Sequence, residues 1–361
     1  MTFRAIVSQN YRATILNEKG TEVLNFIEQH VLFDGDSPVI LLDTTSHVNL
    51  KSLQNFHGLF NGALHALINI KRLNDVKFIN KFLEESNEVL AKGGLFIGHI
   101  ESLGNRKKRI LRKFPRPLNR LVYFFDFIVK RLLPKFRITK KMYFLLTKGK
   151  NRVISEMESY GRLYSCGFEL VDSKEIDGKL WFIGRKIGKP AFNKEATYGP
   201  LIKLKRHGKD NNLIYVYKLR SMHPYSEYLQ EYIASKQGFQ KGGKFKDDPR
   251  VTTAGKFFRK FWLDEFPMFI NVFKGEMKLI GVRPLSSHYL GLYPEEIRAL
   301  RAKTKPGLIP PFYADLPETL DQIIESEQAY LLSYFENPIS TDIKYFFKAG
   351  YNILVKKARS N

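Results

Sequence analysis

Apolar positions along this chain follow two periods, and the switches between them outline its elements. VILLD (39–43) and LFIGHI (95–100) are short apolar runs of the kind that form buried strands. Asp34-Gly35-Asp36 marks a turn ahead of the first. Between them, VKFINKFLEESNEVL (76–90) places Val76, Ile79, Phe82, Leu83 and Leu90 at helical spacing, and Lys92-Gly93-Gly94 is predicted to end that helix. GFELVD (167–172) and KLWFIGRK (179–186) add two further strands. IGKPAFNKEATYGP (187–200) has turn-formers and no period, which reads as a linker. The pattern predicts an α/β protein with one domain at 1–188 and a second at 189–361.

The second half opens with LIKLKRHGKDNNLIYVYKLRSM (201–222), two strands flanking Gly208 to Asn212 in a hairpin. Period-two alternation puts Ile214, Val216, Lys218 and Arg220 on one face, where cations continue an apolar row and mark a ligand-facing end. Residues 223–246, with Gly242-Gly243, read as a helix and a loop. Further helices are predicted over 294–305, 317–336 and 341–358 around a small sheet that includes MKLIGV (277–282).

Residues 247–285 hold the densest chemistry. Asp264 and Glu265 are adjacent acids just ahead of Pro267, and proline suits only the first turn of a helix. A helix is therefore predicted to open near Asp264, run through Phe266, Phe269, Ile270 and Phe273, and stop at Gly275. Its positive end would favour ionised carboxylates and bind phosphate. Thr252 or Thr253 can cap a short preceding helix that carries Arg259 and Lys260. An Asp-Glu pair alone is also what any solvated helix start shows, so the acids take their meaning from their surroundings.

Charge changes the picture of the first half. The chain has 361 residues with 59 Lys and Arg against 36 Asp and Glu, a net charge of +23. Residues 105–152 hold 17 of those cations and one acid, Asp126, which is +16 in a single insertion. Such a block expects an anionic partner. Within it, LNRLVYFFDFIVKRLLP (118–134) spaces Asn119, Tyr123, Asp126 and Lys130 as one polar stripe on an apolar helix, with Asp126 and Lys130 as an i,i+4 pair. The insertion suits the interface of an anionic membrane, and equally a core helix with a solvated basic flank. Arg106, Lys107, Lys108, Arg109, Phe124, Phe125 and Phe127 are the membrane-contact candidates. Nucleic acid fits less well, because these aromatics sit among aliphatic residues and not as stacking platforms on a basic sheet.

The single cysteine, Cys166, leaves no internal disulfide or cysteine zinc site and points to a reducing compartment. MTFRAIVSQN (1–10) has no cleavable signal pattern, and no apolar run approaches the ~20 residues of a spanning helix. His223 and His288 are isolated and read as structural or exposed.

Five ordered blocks carry a family resemblance: KLRSM (218–222), DDPRVT (247–252), LDEFP (263–267), NVFKGEMKLIGVRPL (271–285) and KPG (305–307). Together, over about residues 198–355, they resemble the bacterial sugar transferases, monotopic polyprenyl-phosphate phosphoglycosyl transferases that start glycan assembly on a membrane lipid. The resemblance implies a mixed α/β transferase domain with a small sheet and several helices. Asp264 would be the nucleophile toward a nucleotide diphosphate sugar, expected to be a UDP-sugar, and Glu265 would ligate Mg²⁺. Arg259 and Arg283 would clamp phosphate, with Arg250, Lys218 and Arg220 in support, and these cations are expected to hold the Asp264 pKa down. The acceptor would be a polyprenyl phosphate, reached from the cytoplasmic face of the inner membrane by a peripheral or monotopic protein without a spanning helix.

The chain departs from the family pattern in three places. KLWFIGRKIGKPAFNKEATYG stands where the family has a hydrophobic re-entrant helix, so attachment is expected to come from the 105–152 insertion. Met268 replaces an amide, and KPG continues as LIPPFYAD. The helix–Gly-Gly–strand unit and the last two strands of residues 1–188 resemble the rear half of class I methyltransferases, a Rossmann-like domain. No Gly-rich loop follows the first strand, so no S-adenosylmethionine site is expected. The alternative to an enzyme is a membrane-surface scaffold that keeps the transferase fold.

Overall fold

The computed structural model describes residues 5–7, 11–31, 38–54, 64–192, 198–237 and 248–356. The expected turn at 34–36, Gly242-Gly243, part of the linker and Asp247 lie outside them. The chain forms two compact units, Met1–Tyr198 with His223–Ser235, and Gly199–Met222 with Lys236–Asn361.

The first unit is a six-stranded mixed sheet between helices. Its strands are β1 (Ala5–Val7), β2 (Val39–Leu42), β3 (Leu64–Asn69), β4 (Leu90–Ile100), β5 (Phe168–Ile176) and β6 (Lys179–Lys186), in spatial order β1-β2-β3-β4-β6-β5. β2, β3 and β4 run parallel, β1 pairs antiparallel at one edge, and β6 pairs antiparallel with both β4 and β5. Strand alternation supplies both faces. Ile97, Trp181 and Ile183 meet α1 (Tyr11–Lys19) and α2 (Thr21–Glu28) through Ile15, Val23, Phe26 and Ile27. After α3 (His47–Gln54), α4 (Ile79–Val89) sets Phe82 against Phe96, which also meets Phe168 and Phe182. Lys92-Gly93-Gly94 lies inside β4, because the helix already ends at Val89. The pairing with β3 slips at this point, and Gly93 supplies the positive φ of +83° that the irregularity takes up.

The insertion is helical: α5 (Leu103–Lys113), α6 (Leu118–Phe127) with a π-helical turn at Ile128–Leu132, and α7 (Arg137–Thr147). The polar stripe of α6 faces inward. Asn119 is buried and donates to the Leu111 carbonyl at 3.0 Å, and Asp126 takes Arg106 at 2.6 and 2.7 Å, in place of the expected i,i+4 contact with Lys130. Arg106 is therefore no membrane contact: it is 3% exposed and also donates to Glu101 and Asn151. Arg109 is half exposed but tied to Glu101 at 2.5 Å, Lys108 sits 3.5 Å from Glu175, and Lys107 lies over the Tyr123 ring. Phe124 and Phe125 point outward, while Phe127 is half-buried against Tyr123.

α8 (Glu156–Ser165) is capped by Ser155, whose Oγ also meets His223 Nδ1 at 2.9 Å. Burial depresses the His223 pKa to about 4, so that imidazole is neutral and structural. α9 (Gln230–Gln237) follows.

The second unit begins with the β7–β8 hairpin (Leu201–His207, Leu213–Leu219), whose turn uses positive φ at Asp210 and Asn211. α10 (Thr253–Lys260) and α11 (Phe269–Phe273) come next, then the parallel pair β9 (Lys278–Ile280) and β10 (Gly307–Ile309). α12 (Ser287–Leu290), α13 (Glu295–Ala302), α14 (Phe312–Asp315), α15 (Leu320–Glu336) and α16 (Pro338–Leu354) complete it. A capping box, Thr319 with Gln322, starts α15. Val216, Met268, Met277 and Leu308 form one small core, joined by Ile214 and Phe269. Met268 thus serves as core.

Candidate active site

Asp264 and Glu265 do not open a helix. They sit in a tight turn at 261–265, followed by a 3₁₀ turn at Phe266–Met268, and α11 begins only at Phe269. Trp262 takes a left-handed φ of +61° to make this turn, and Glu265 stands at the cap position without a side-chain cap bond. The free N–H groups of a long helix therefore do not shape this site. What fixes it is the end of β8: the Leu219 N–H donates to the Asp264 carbonyl at 2.9 Å.

The two carboxylates diverge. Glu265 is buried and its Oε1 accepts from Lys218 Nζ at 2.6 Å. Asp264 is half-buried. Burial raises its pKa and the Glu265 charge adds to this, while Lys218 and Arg259 only partly oppose it. The direction is opposite to the expected one, because desolvation and an adjacent like charge outweigh the cations.

α10 brings Arg259. Thr252 caps this helix, its Oγ1 accepting from the Gly255 N–H at 2.8 Å, and its own N–H donates to the Ser221 carbonyl at 2.9 Å. The helix comes so close to that backbone that a Cβ on Gly255 would stand 1.8 Å from the Ser221 oxygen. Arg259 Nε donates to Ser221 Oγ at 3.0 Å. Its charge reaches both Asp264 and Asp248. Burial works against ionisation of Asp248, but Arg250, bonded through Nε at 2.9 Å and Nη2 at 2.7 Å, overrides it and holds that carboxyl low.

The remaining candidates separate. Arg250 is buried and committed to Asp248. Arg220 is half-buried, and its Nε donates to the Gly199 carbonyl at 2.9 Å. Arg283 is exposed and lies 5.8 Å over the Phe312 ring. Its carbonyl is gripped by Arg301, which is buried in an ion pair with Glu327. The Phe312 ring meets Tyr313 at 4.2 Å and Tyr313 meets Trp262 at 4.5 Å, both tilted, so an aromatic row runs from Arg283 to the acid turn. Burial, then the Arg283 charge, lowers the basicity of Arg206, a cation the pattern did not single out.

Two polar residues inside the quoted blocks also hold the site. Asn271 is fully buried, accepts from the Tyr217 N–H at 3.0 Å, and donates to the Tyr215 carbonyl at 2.8 Å and to Glu276 at 2.6 Å, locking α11 to β8. Ser221 receives both α10 and Arg259. The signal for Asn271 was a lone polar position between Ile270 and Val272, whereas nothing in the spacing marked Ser221. Among the described residues no cluster of three or more His, Cys, Asp or Glu forms a self-contained metal site. Of the Glu265 carboxylate, the expected Mg²⁺ ligand, Oε1 is taken by Lys218, so a metal that binds one or two carboxylates with phosphates and water would have to share this group with a cation.

Residues 191–356 match the bacterial sugar transferase family. The undecaprenyl-phosphate galactose phosphotransferase of Salmonella typhimurium is 38% identical over 134 residues, 36% of this chain and 26% of that protein. The UDP-glucose:undecaprenyl-phosphate glucose-1-phosphate transferase of Escherichia coli is 31% identical over 175 residues, 46% of this chain and 35% of its own. The uncharacterized sugar transferase EpsL of Bacillus subtilis is 37% identical over 123 residues, 34% of this chain and 50% of its own. The chain thus spans between 26% and 50% of the length of these relatives.

Proposed function

We propose that the unit carrying this bacterial sugar transferase match moves a sugar phosphate from a nucleotide diphosphate sugar, of the UDP class, to a polyprenyl phosphate at the cytoplasmic face of a membrane. This would start the assembly of a surface polysaccharide. The observation that carries the reading is the divergence of the acid pair: Glu265 is turned onto Lys218, whereas Asp264 stays accessible within the field of Arg259 and Lys218.

An Asp264 carboxylate oxygen attacks the β-phosphorus. The bond from that phosphorus to the bridging oxygen breaks, and a nucleoside monophosphate leaves with the electron pair. A phosphate oxygen of the lipid then attacks the same phosphorus, the acyl phosphate bond breaks, and the Asp264 carboxylate is regenerated. Arg259 and Arg283 are the guanidinium groups that neutralise the diphosphate. Glu265 would hold Mg²⁺, which when bound offsets the charge of the diphosphate oxygens. Phe261, Phe266, Ile270 and Phe273 leave an exposed apolar surface around the acid turn, the surface a polyisoprenoid tail requires.

The test is the intact mass of the protein after incubation with a panel of UDP-sugars and Mg²⁺ but no lipid. A phosphosugar adduct is expected on the native chain and not on Asp264→Asn. A folded protein that forms no adduct with any nucleotide-sugar class would count for the scaffold alternative.

A further inference from the structure

A soluble helix turns its large apolar side chains toward the core, and α6 does the reverse. Leu121, Phe124 and Phe125 are 53%, 56% and 55% exposed, and on α7 Ile138, Leu145 and Leu146 are 89%, 79% and 76% exposed. The buried side of α6 carries Asn119 and Asp126. This orientation is locked. Asp126 neutralises Arg106, which is 3% exposed, and Arg106 also serves Glu101 and Asn151. Rolling α6 over to hide its phenylalanines would leave that guanidinium and that carboxylate buried without partners, which costs more than the apolar surface gains. The ion network therefore holds the apolar face outward.

We propose that α5–α7 form an interfacial anchor whose apolar face enters the outer acyl region of an anionic membrane. The charge of the insertion selects this occupant. Of its 17 cations Arg106 and Arg131 are buried in ion pairs, but Arg112, Lys113, Arg116, Arg120, Lys140 and Lys141 are all exposed along the same α5–α7 segment as the apolar residues. Anionic headgroups complement that rim, and a second copy of the same face is repelled by it. α6 and α7 have 10 and 11 residues, about 15 Å each, and no described helix is long and apolar enough to cross a membrane. A helix that does not span but pairs an apolar face with a basic rim lies in the interface. This anchor belongs to the first unit and does not depend on the transfer chemistry of the second.

The experiment uses the full chain with Leu146→Cys carrying an environment-sensitive fluorophore. Cys166 stays unlabelled because it is buried and its thiol pKa is pushed up to about 12. With vesicles of phosphatidylglycerol and phosphatidylcholine the emission should shift to the blue and be quenched by lipids carrying nitroxides on their tails. Phe124→Ser with Phe125→Ser, at exposed positions, should weaken vesicle partitioning at least about tenfold. Lys140→Glu with Lys141→Glu should weaken it by at least about tenfold. Three results would overturn the anchor. One is a probe that stays in water while the chain floats with vesicles, which assigns binding to another surface. Another is equal partitioning onto phosphatidylcholine alone. The last is a blue shift without lipid, growing with protein concentration or with added polynucleotide, which assigns the face to a second copy or to nucleic acid.

Discussion

Lys218 and Glu265, 47 residues apart, form an ion pair of 2.6 Å between the end of β8 and the acid turn. The pair sets the Glu265 carboxylate at the base of the turn and, in the proposed mechanism, leaves Asp264 as the nucleophile. The turn is held from both sides, by this side-chain contact and by the Leu219 N–H bonded to the Asp264 carbonyl. The position of Asp264 therefore does not depend on its own carboxylate.

Asp264→Asn should consequently fold as the native chain does and lose transfer by at least about a thousandfold, as expected for removal of a nucleophile. Circular dichroism and the adduct mass together check this. Undiminished turnover in the asparagine variant would remove Asp264 from the chemistry.

Breaking the pair is a different change. Lys218→Met leaves the Glu265 carboxylate buried without its cation and should destabilise by about 2 kcal/mol, less than a fully buried pair because Lys218 keeps some solvent contact. Adding Glu265→Gln to it should restore most of that loss in chemical denaturation. If the double variant is no more stable than Lys218→Met, the pair is not what holds the turn.

The pH dependence has a definite sign. The Asp264 pKa is raised by burial and by Glu265, so the folded chain keeps a proton on this group to higher pH than the unfolded chain does. Stability from this group is then highest at low pH and falls as pH rises from the unfolded value through the folded one. Asp264→Asn should gain stability relative to the native chain over that window, and the acid limb of the native kcat/KM profile should lie above the 3.8 of an ordinary aspartate. Thermal melts of the two proteins from about pH 4 to about pH 7 read the first effect. A constant difference would show that Asp264 titrates normally.

Gly255→Ala should move α10. Its methyl group would stand 1.8 Å from the Ser221 carbonyl oxygen, so the helix and its Thr252 cap must shift, at about 1–3 kcal/mol. Arg259 moves with the helix, and kcat/KM should fall with the stability. A melt unchanged from the native chain would mean that α10 has more room than the geometry allows.

Much of this protein is local and therefore legible in its sequence. Hydrophobic period set the β7–β8 hairpin and the C-terminal helices, and the ordered blocks located the acid turn within residues 191–356. Where the sequence misled, the missing information lay in distant partners. The polar stripe of α6 was visible, but Arg106, 20 residues away, decides that it faces inward. Neighbouring cations suggested a low pKa for Asp264, and only the packed turn shows that burial and Glu265 outweigh them. Proline spacing suggested a helix at the acids, whereas the left-handed Trp262 and the tie to Leu219 make a turn. Periodicity records which residues can share a face. Desolvation and pairing across the fold decide where that face points and which charges it can carry.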